Sequence, residues 1–474
     1  MTVRKDLEFV FYPRSVAVVG ATNDPMKFGY GYMKGIIDLG FKGKLYPINP
    51  KRDEVLGIKA YPSVRDAPRP VDYVISNIPA PRVPQMTEDC VASGAKVLQL
   101  FTAGFSETGE EDGIRLEREM VDIARRGNLR IIGPNCVGVY CPKSGLVFNT
   151  TELIKESGPV AFISQSGGNA FELTNAAALR GIRFSKVVSY GNACDLNETD
   201  FLEYLAHDPD TEIITAYIEG VKNGPAFITA LREATKRKPV IMLKGGRTDS
   251  GTRAVASHTG SLAGATPIWD ALCRQMGVIQ VDNLDQLADL LLAFLHLPVP
   301  KGGNVGVVGV GGGASVQAAD DCAAAGLVVP PLPLETRSEL KKFTPEAGCS
   351  ISNPVDSILV FSPDDFSKTV EIVVNSPEID LLILHIGLDF SAVQFGGAKM
   401  LEGVVDGVIR AGKGTDKPMA ICLRTAGSLP AWEAFLELQE KCLKAGFPVY
   451  PTVERAALAV GRFLKYHHSR GEDE

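Results

Sequence analysis

The chain has 474 residues, 45% of them hydrophobic and 22% charged, with a formal net charge of −7. That length exceeds one ordinary core and predicts about three domains, while the acidic balance excludes a general pull toward nucleic acid or anionic membrane. No apolar run reaches the ~18 residues that span a bilayer, and the first residues lack a signal-peptide core. The nine cysteines show no metal-ligand spacing, so a cytoplasmic protein with reduced thiols and no metal site is expected.

Taken in order, the first element is a β-branched run, Ser15 to Val19, ending at Gly20-Ala21-Thr22-Asn23. A helix is expected from Lys27–Phe28. Strands follow at Leu45–Ile48, Tyr73–Ser76, Val97–Leu100 and Arg130–Ile132. Apolar runs without alternation indicate strands covered on both faces, hence parallel sheets between helices. A strand, a glycine turn and a helix start together make an anion site. The spacing is not GxGxxG, and the second strand ends in Asn49-Pro50-Lys51 with no acid to hold a ribose diol. A nicotinamide enzyme is therefore disfavoured, whereas a nucleotide with an extra ribose phosphate suits Lys44 and Lys51. Taken alone, those lysines read equally as solvated surface. Asn77-Ile78-Pro79-Ala80 and Gly133-Pro134-Asn135-Cys136 fall where strand ends should converge on the same ligand.

The theme repeats at Val160 to Ser164, followed by Gln165-Ser166-Gly167-Gly168-Asn169, a second phosphate cradle. Strands are expected at Lys186–Ser189, Ile213–Ile218 and Val240–Leu243. Glu219, at the end of a buried strand, either orients an imidazole or caps a neighbouring turn. Lys244-Gly245-Gly246-Arg247 leads to Ser257-His258-Thr259-Gly260. His258 is expected in a glycine- and serine-rich loop before a helix near Ala265. An imidazole there is a competent nucleophile toward phosphorus. His207, His296 and His385 read as structural, and His467 and His468 as exposed helix-end residues.

After a proline-glycine linker, Leu297 to Gly303, a third copy opens at Val305 and runs into Gly309-Val310-Gly311-Gly312-Gly313, with later strands at Leu381–His385 and Met419–Leu423. The architecture expected is α/β, with three Rossmann- or flavodoxin-like doubly wound domains in tandem over 1–145, 146–298 and 299–474.

With these segments in place, the chain resembles the alpha subunit of ADP-forming (NDP-forming) acyl-CoA synthetases, relatives of the succinyl-CoA synthetase alpha subunit. The resemblance is carried by Ser164-Gln165-Ser166-Gly167, Tyr217-Ile218-Glu219-Gly220, Lys244 to Arg247, Ser257 to Gly260 and Ser352-Asn353-Pro354. It implies a CoA-binding domain followed by two CoA-ligase-type domains. It implies CoA held by Gly20, Ala21, Thr22, Asn23, Lys27, Asn49, Pro50, Lys51, Ile78, Pro79 and Asn135, and phosphate by Ser164, Gln165, Ser166, Gly167 and Gly168. It further implies a phosphohistidine at His258, oriented by Glu219. ATP or ADP with Mg2+ would sit on a separate ATP-grasp beta subunit in a heterotetramer. The substrate would be a small organic acid or its CoA thioester. The alternative is a non-catalytic CoA-binding module of the same fold.

Overall fold

The computed structural model describes residues 7–148, 154–259, 265–345, 347–358, 362–389 and 397–471, the side chains of 256–259, 398 and 471 excepted. Its strands are β1 Ser15–Val19, β2 Lys44–Ile48, β3 Glu54–Val55, β4 Ile58–Lys59, β5 Tyr73–Ser76, β6 Val97–Leu100, β7 Arg130–Ile132, β8 Gly138–Tyr140 and β9 Val160–Ser164. They continue as β10 Phe184–Ser189, β11 Ile213–Ile218, β12 Val240–Lys244, β13 Ile279–Val281, β14 Val305–Gly309, β15 Val355–Asp356, β16 Leu381–Gly387, β17 Met419–Arg424 and β18 Val449–Tyr450.

Three sheets have the orders β2-β1-β5-β6-β7, β13-β12-β11-β9-β10-β8 and β15-β14-β16-β17-β18, beside a small β3-β4 hairpin. In each sheet the first parallel strand, β1, β9 or β14, lies between the next two strands of that sheet, so the chain reverses direction beside it. That reversal creates a crevice at the strand C-termini. The expected doubly wound α/β class is what the structure shows. Pairing is parallel throughout the three sheets except for β8, which runs antiparallel to β10. Every residue of β1, β9 and β14 is buried, as continuous apolar runs demand. Helices supply the covering layers. Glu111–Arg126, for example, buries Met120, Ile123 and Ala124 and carries acids in its first turn and arginines in its last, matching the helix dipole.

Packing divides the chain into two compact units, Met1–Leu284 and Asp285–Glu474. In the first, two sheets are stitched together after β7. The Asn192, Cys194 and Leu196 amides donate to the carbonyls of Pro134, Gly133 and Ile131 at 3.0, 3.1 and 3.1 Å. Arg130 bonds Asp195 at 2.9 and 3.0 Å. Gly191, at φ +52°, passes so close that a Cβ would stand 2.1 Å from the Pro134 oxygen.

In the second unit, Arg455 binds Asp289 and Asp285, both on the helix Leu284–His296. The aromatic cluster beside them corrects one expectation. His467 is half-buried, 4.6 Å from the Phe463 ring and 5.8 Å from Phe294, because aromatic packing outweighs its position near a helix end. His468 is exposed as expected, and His385 is buried within β16.

Candidate active site

The first crevice is built by β1 and the helix Phe28–Leu39, whose N-cap, Lys27, makes no side-chain cap bond. Gly20 turns the chain at φ +87°, its amide bonded to the Ile48 carbonyl at 3.0 Å. Helix and turn pack so closely that a methyl group on Gly29 would lie 2.1 Å from the Gly20 carbonyl oxygen. The helix N-terminus is thereby held over the strand end, where its dipole favours an anion.

The second crevice follows β9. Ser166 caps the helix Gly167–Leu179 through the Asn169 amide at 3.3 Å. Ser164 Oγ donates to the Ser166 carbonyl at 2.6 Å, and Gln165 Oε1 accepts from the Glu219 and Gly220 amides at 2.8 and 3.1 Å. Gln165 thus fixes the turn that carries Glu219. Glu219 itself is buried, and its Oε1 accepts the Tyr217 hydroxyl at 3.2 Å.

The two crevices open into one cavity of about 750 Å³. Its walls include Gly20, Lys27, Ile78, Pro79 and Asn135 from the first sheet and Gln165, Ser166, Gly167 and Gly168 from the second. The remaining expected residues stand outside the walls. Ala21, Thr22, Asn23, Asn49, Pro50 and Lys51 belong to the turns behind the mouth. Asn49 Nδ2 donates to the Ala21 carbonyl at 2.8 Å while its Oδ1 accepts the Lys51 amide at 2.9 Å, so its side chain shapes the turn. Asn23 does similar work for the β3-β4 hairpin, accepting the Leu56 amide at 2.8 Å. Ser164 and Glu219 lie beneath the cradle.

Met26, Phe28, Phe101, Thr102, Ala103, Val137 and Gly191 also line the cavity and were not anticipated. Phe101 to Ala103 directly follow β6, and that strand end was the available signal. Thr102 Oγ1 bonds the Ile78 carbonyl at 2.7 Å and its own carbonyl accepts the Asn135 amide at 3.0 Å, tying three loops into one rim. Phe101 packs on Phe28 with ring centroids 4.4 Å apart.

The loop expected at His258 is instead helical in its backbone, since Asp249–Thr259 forms one helix. Arg253, Ala254 and Ala256 favour helix in this segment despite Gly251 and Thr252. The His258 side chain and residues 260–264 lie outside the described residues. This helix rests against the turn Ser106–Thr108, which continues from the cavity-lining segment Phe101–Ala103. The expected next helix begins at Thr266.

Known proteins share these features in the same order. The CoA binding domain matches residues 14–142, the succinyl-CoA ligase like flavodoxin domain 157–294, and the Ligase-CoA domain 305–473. The alpha subunit of acetate–CoA ligase [ADP-forming] II from Pyrococcus furiosus is 40% identical over 96% of both chains. The chain belongs to the alpha subunits of ADP-forming acyl-CoA synthetases. Members of this family are acid–thiol ligases, and the present chain is a ligase subunit of that class. The dinucleotide-forming acetyl-coenzyme A synthetase 1 of Ca. Korarchaeum cryptofilum, solved with phosphate and ADP, superposes with a TM-score of 0.82 at 35% identity, covering 98% of each chain. An acetate–CoA ligase [ADP-forming] of Methanocaldococcus jannaschii is 40% identical, and the match spans 76% of this chain but 50% of that protein.

The cavity has the volume of a cofactor site, a helix N-terminus for phosphate at one end and a second helix N-terminus at the other. Among the described residues no helix is long and apolar enough to cross a membrane.

Proposed function

We propose that an acyl-CoA lies along this cavity, its phosphates toward the helix Phe28–Leu39 and its thioester beside Gln165–Gly168. Inorganic phosphate held by the cradle attacks the thioester carbonyl. The C–S bond breaks, CoA leaves as thiolate, and an acyl phosphate remains. A nitrogen of His258 then attacks phosphorus, the bridging P–O bond breaks, and the free acid departs. Glu219 holds the imidazole through its other nitrogen. ADP accepts the phosphoryl group to give ATP, and each step reverses to activate an acid.

Nucleotide and Mg2+ are assigned to an ATP-grasp beta subunit in a heterotetramer. The alpha-subunit relative and the longer Methanocaldococcus protein, only half of which this chain matches, support a missing second part. The nine free cysteines accord with a reducing cytoplasm.

The observation that carries the proposal is the single cavity bordered by both the CoA-type turn and the phosphate cradle. Its test is reconstitution with a beta subunit, acetyl-CoA, phosphate and ADP. ATP and CoA should appear in equal amounts, and neither when either subunit is omitted. CoA binding without any turnover by the assembled complex would contradict it and favour the non-catalytic module.

A further inference from the structure

Beneath the phosphate cradle, β12 ends in a lysine with no task in the reaction as described. Lys244 is 7% exposed, and its Nζ donates to the Glu219 carbonyl at 2.7 Å and to the Gly245 carbonyl. The same ammonium stands 5.5 Å from the centre of the Trp269 ring, within cation–π range. Trp269 belongs to the helix Thr266–Met276 and stacks on Phe227 at 5.8 Å. The first residue of that helix, Thr266, donates its hydroxyl to the Arg247 carbonyl at 2.9 Å. The β12 turn therefore anchors the helix that returns from the His258 segment, while the helix Asp249–Thr259 departs from it directly. The turn has little slack, since a Cβ on Gly245 would lie 2.6 Å from the Tyr217 hydroxyl oxygen.

We propose that Lys244 is a positioning residue for phosphoryl transfer: its ammonium, clasped between the Glu219 carbonyl and the Trp269 face, holds both Glu219 and the return helix in register with His258. This inference rests on the reading of His258 as the phosphoryl carrier. Among the described residues, Glu219 is the charged group facing Lys244 from β11, and Tyr217 on that strand presents a phenol. Trp269 and Phe227 add no titrating group, and Arg247 on the turn itself pairs with Asp282 beyond β13. Burial lowers the Lys244 ammonium to about 8, with the Glu219 carboxylate acting in the opposite direction. The clasp accordingly loses its charge as pH rises through that value. A neutral amine can still donate to both carbonyls, so the change is confined to the charge and the ring contact.

The chain has two tryptophans, so Trp432→Phe leaves Trp269 as the sole tryptophan, excited selectively at wavelengths tyrosine does not absorb. In that background, with the full chain, Trp269 fluorescence should titrate as one proton near pH 8, and the step should vanish in Lys244→Arg and Lys244→Met. With the beta subunit and labelled ATP, Lys244→Met should slow labelling roughly tenfold or more at unchanged CoA affinity. The parent labelling rate should fall as pH rises through about 8, and Lys244→Arg should not show that fall. An unchanged labelling rate in Lys244→Met, or the same fluorescence step in that variant, overturns the proposal, and Lys244→Gln is read in the same way if Lys244→Met fails to fold. A chain that shows the step yet is never labelled refutes the phosphohistidine reading and leaves the clasp standing.

Discussion

The first and third sheets share one topology yet set different charges beside the turn that follows their first strand. Gly20, Asn49 and Asn77 follow the ends of β1, β2 and β5, while Gly309, the last residue of β14, pairs in register with Asp356 of β15 and His385 of β16. In the first sheet the neighbour is an amide that bonds the Ala21 carbonyl at 2.8 Å. In the third it is a carboxylate that accepts the Gly311 amide at 2.6 Å. The middle position carries a neutral amide in one and a buried imidazole in the other. A glycine turn after a buried strand thus reports how the chain is wound. The residues ending the two adjacent strands decide what charge the turn faces.

This contrast can be broken at four points, in descending order of effect. Gly29→Ala pushes a methyl into the Gly20 carbonyl, 2.1 Å away, and is expected to cost about 3 kcal/mol or more. Denaturant unfolding and CoA calorimetry should show destabilisation together with lost affinity, and an unaffected turn would mean that the helix approach is loose.

The third sheet should be the acid-sensitive one. Burial, with Arg424 adding to it, lowers His385 to about 4. The folded state keeps the imidazole neutral while the unfolded chain protonates below its ordinary value of about 6.5. Stability is therefore full above about pH 6.5 and falls as pH drops toward 4, by about 3 kcal/mol in all. Thermal unfolding of the second unit at stepped pH should show this loss, and His385→Asn should flatten it.

Glu219→Gln is expected to slow phosphorylation by roughly 10²-fold while leaving CoA affinity intact. Unchanged rates would assign Glu219 to its turn alone. Asp356→Asn should be mildest, about 1 kcal/mol, felt in the second unit without altering CoA binding. An altered CoA affinity would show that the turn after β14 bears on CoA binding.

Much of this arrangement could be read before any coordinates. Continuous β-branched runs with glycine turns announced β1, β9 and β14, because strands covered on both faces need no alternation. The helix starts at Phe28 and Thr266 followed from the same punctuation. The short strand β8 escaped notice, since Gly138-Val139-Tyr140 becomes a strand only by antiparallel pairing to β10. Phe101–Ala103 and Gly191 escaped for a related reason. Phe101, Ala103 and Gly191 carry no polar side chain, and the Thr102 hydroxyl is spent on the Ile78 carbonyl, so side-chain chemistry did not single them out. Asn49 shows what sequence leaves out, for an amide at a strand end gave no sign that its side chain bonds within the turn. The helical backbone at His258 was missed because Gly251, Gly260 and Gly264 outweighed the helix formers between them in a reading by composition.

The central claim is that the shared cavity feeds a phosphoryl group to His258. The direct measurement is to incubate this chain and its beta subunit with radiolabelled ATP and magnesium, then assay for acid-labile, base-stable label. Label on this chain that disappears in His258→Ala, with CoA affinity preserved, is the predicted result. Label that persists in His258→Ala, or no label from a complex shown to be assembled and to bind ATP, would contradict the account.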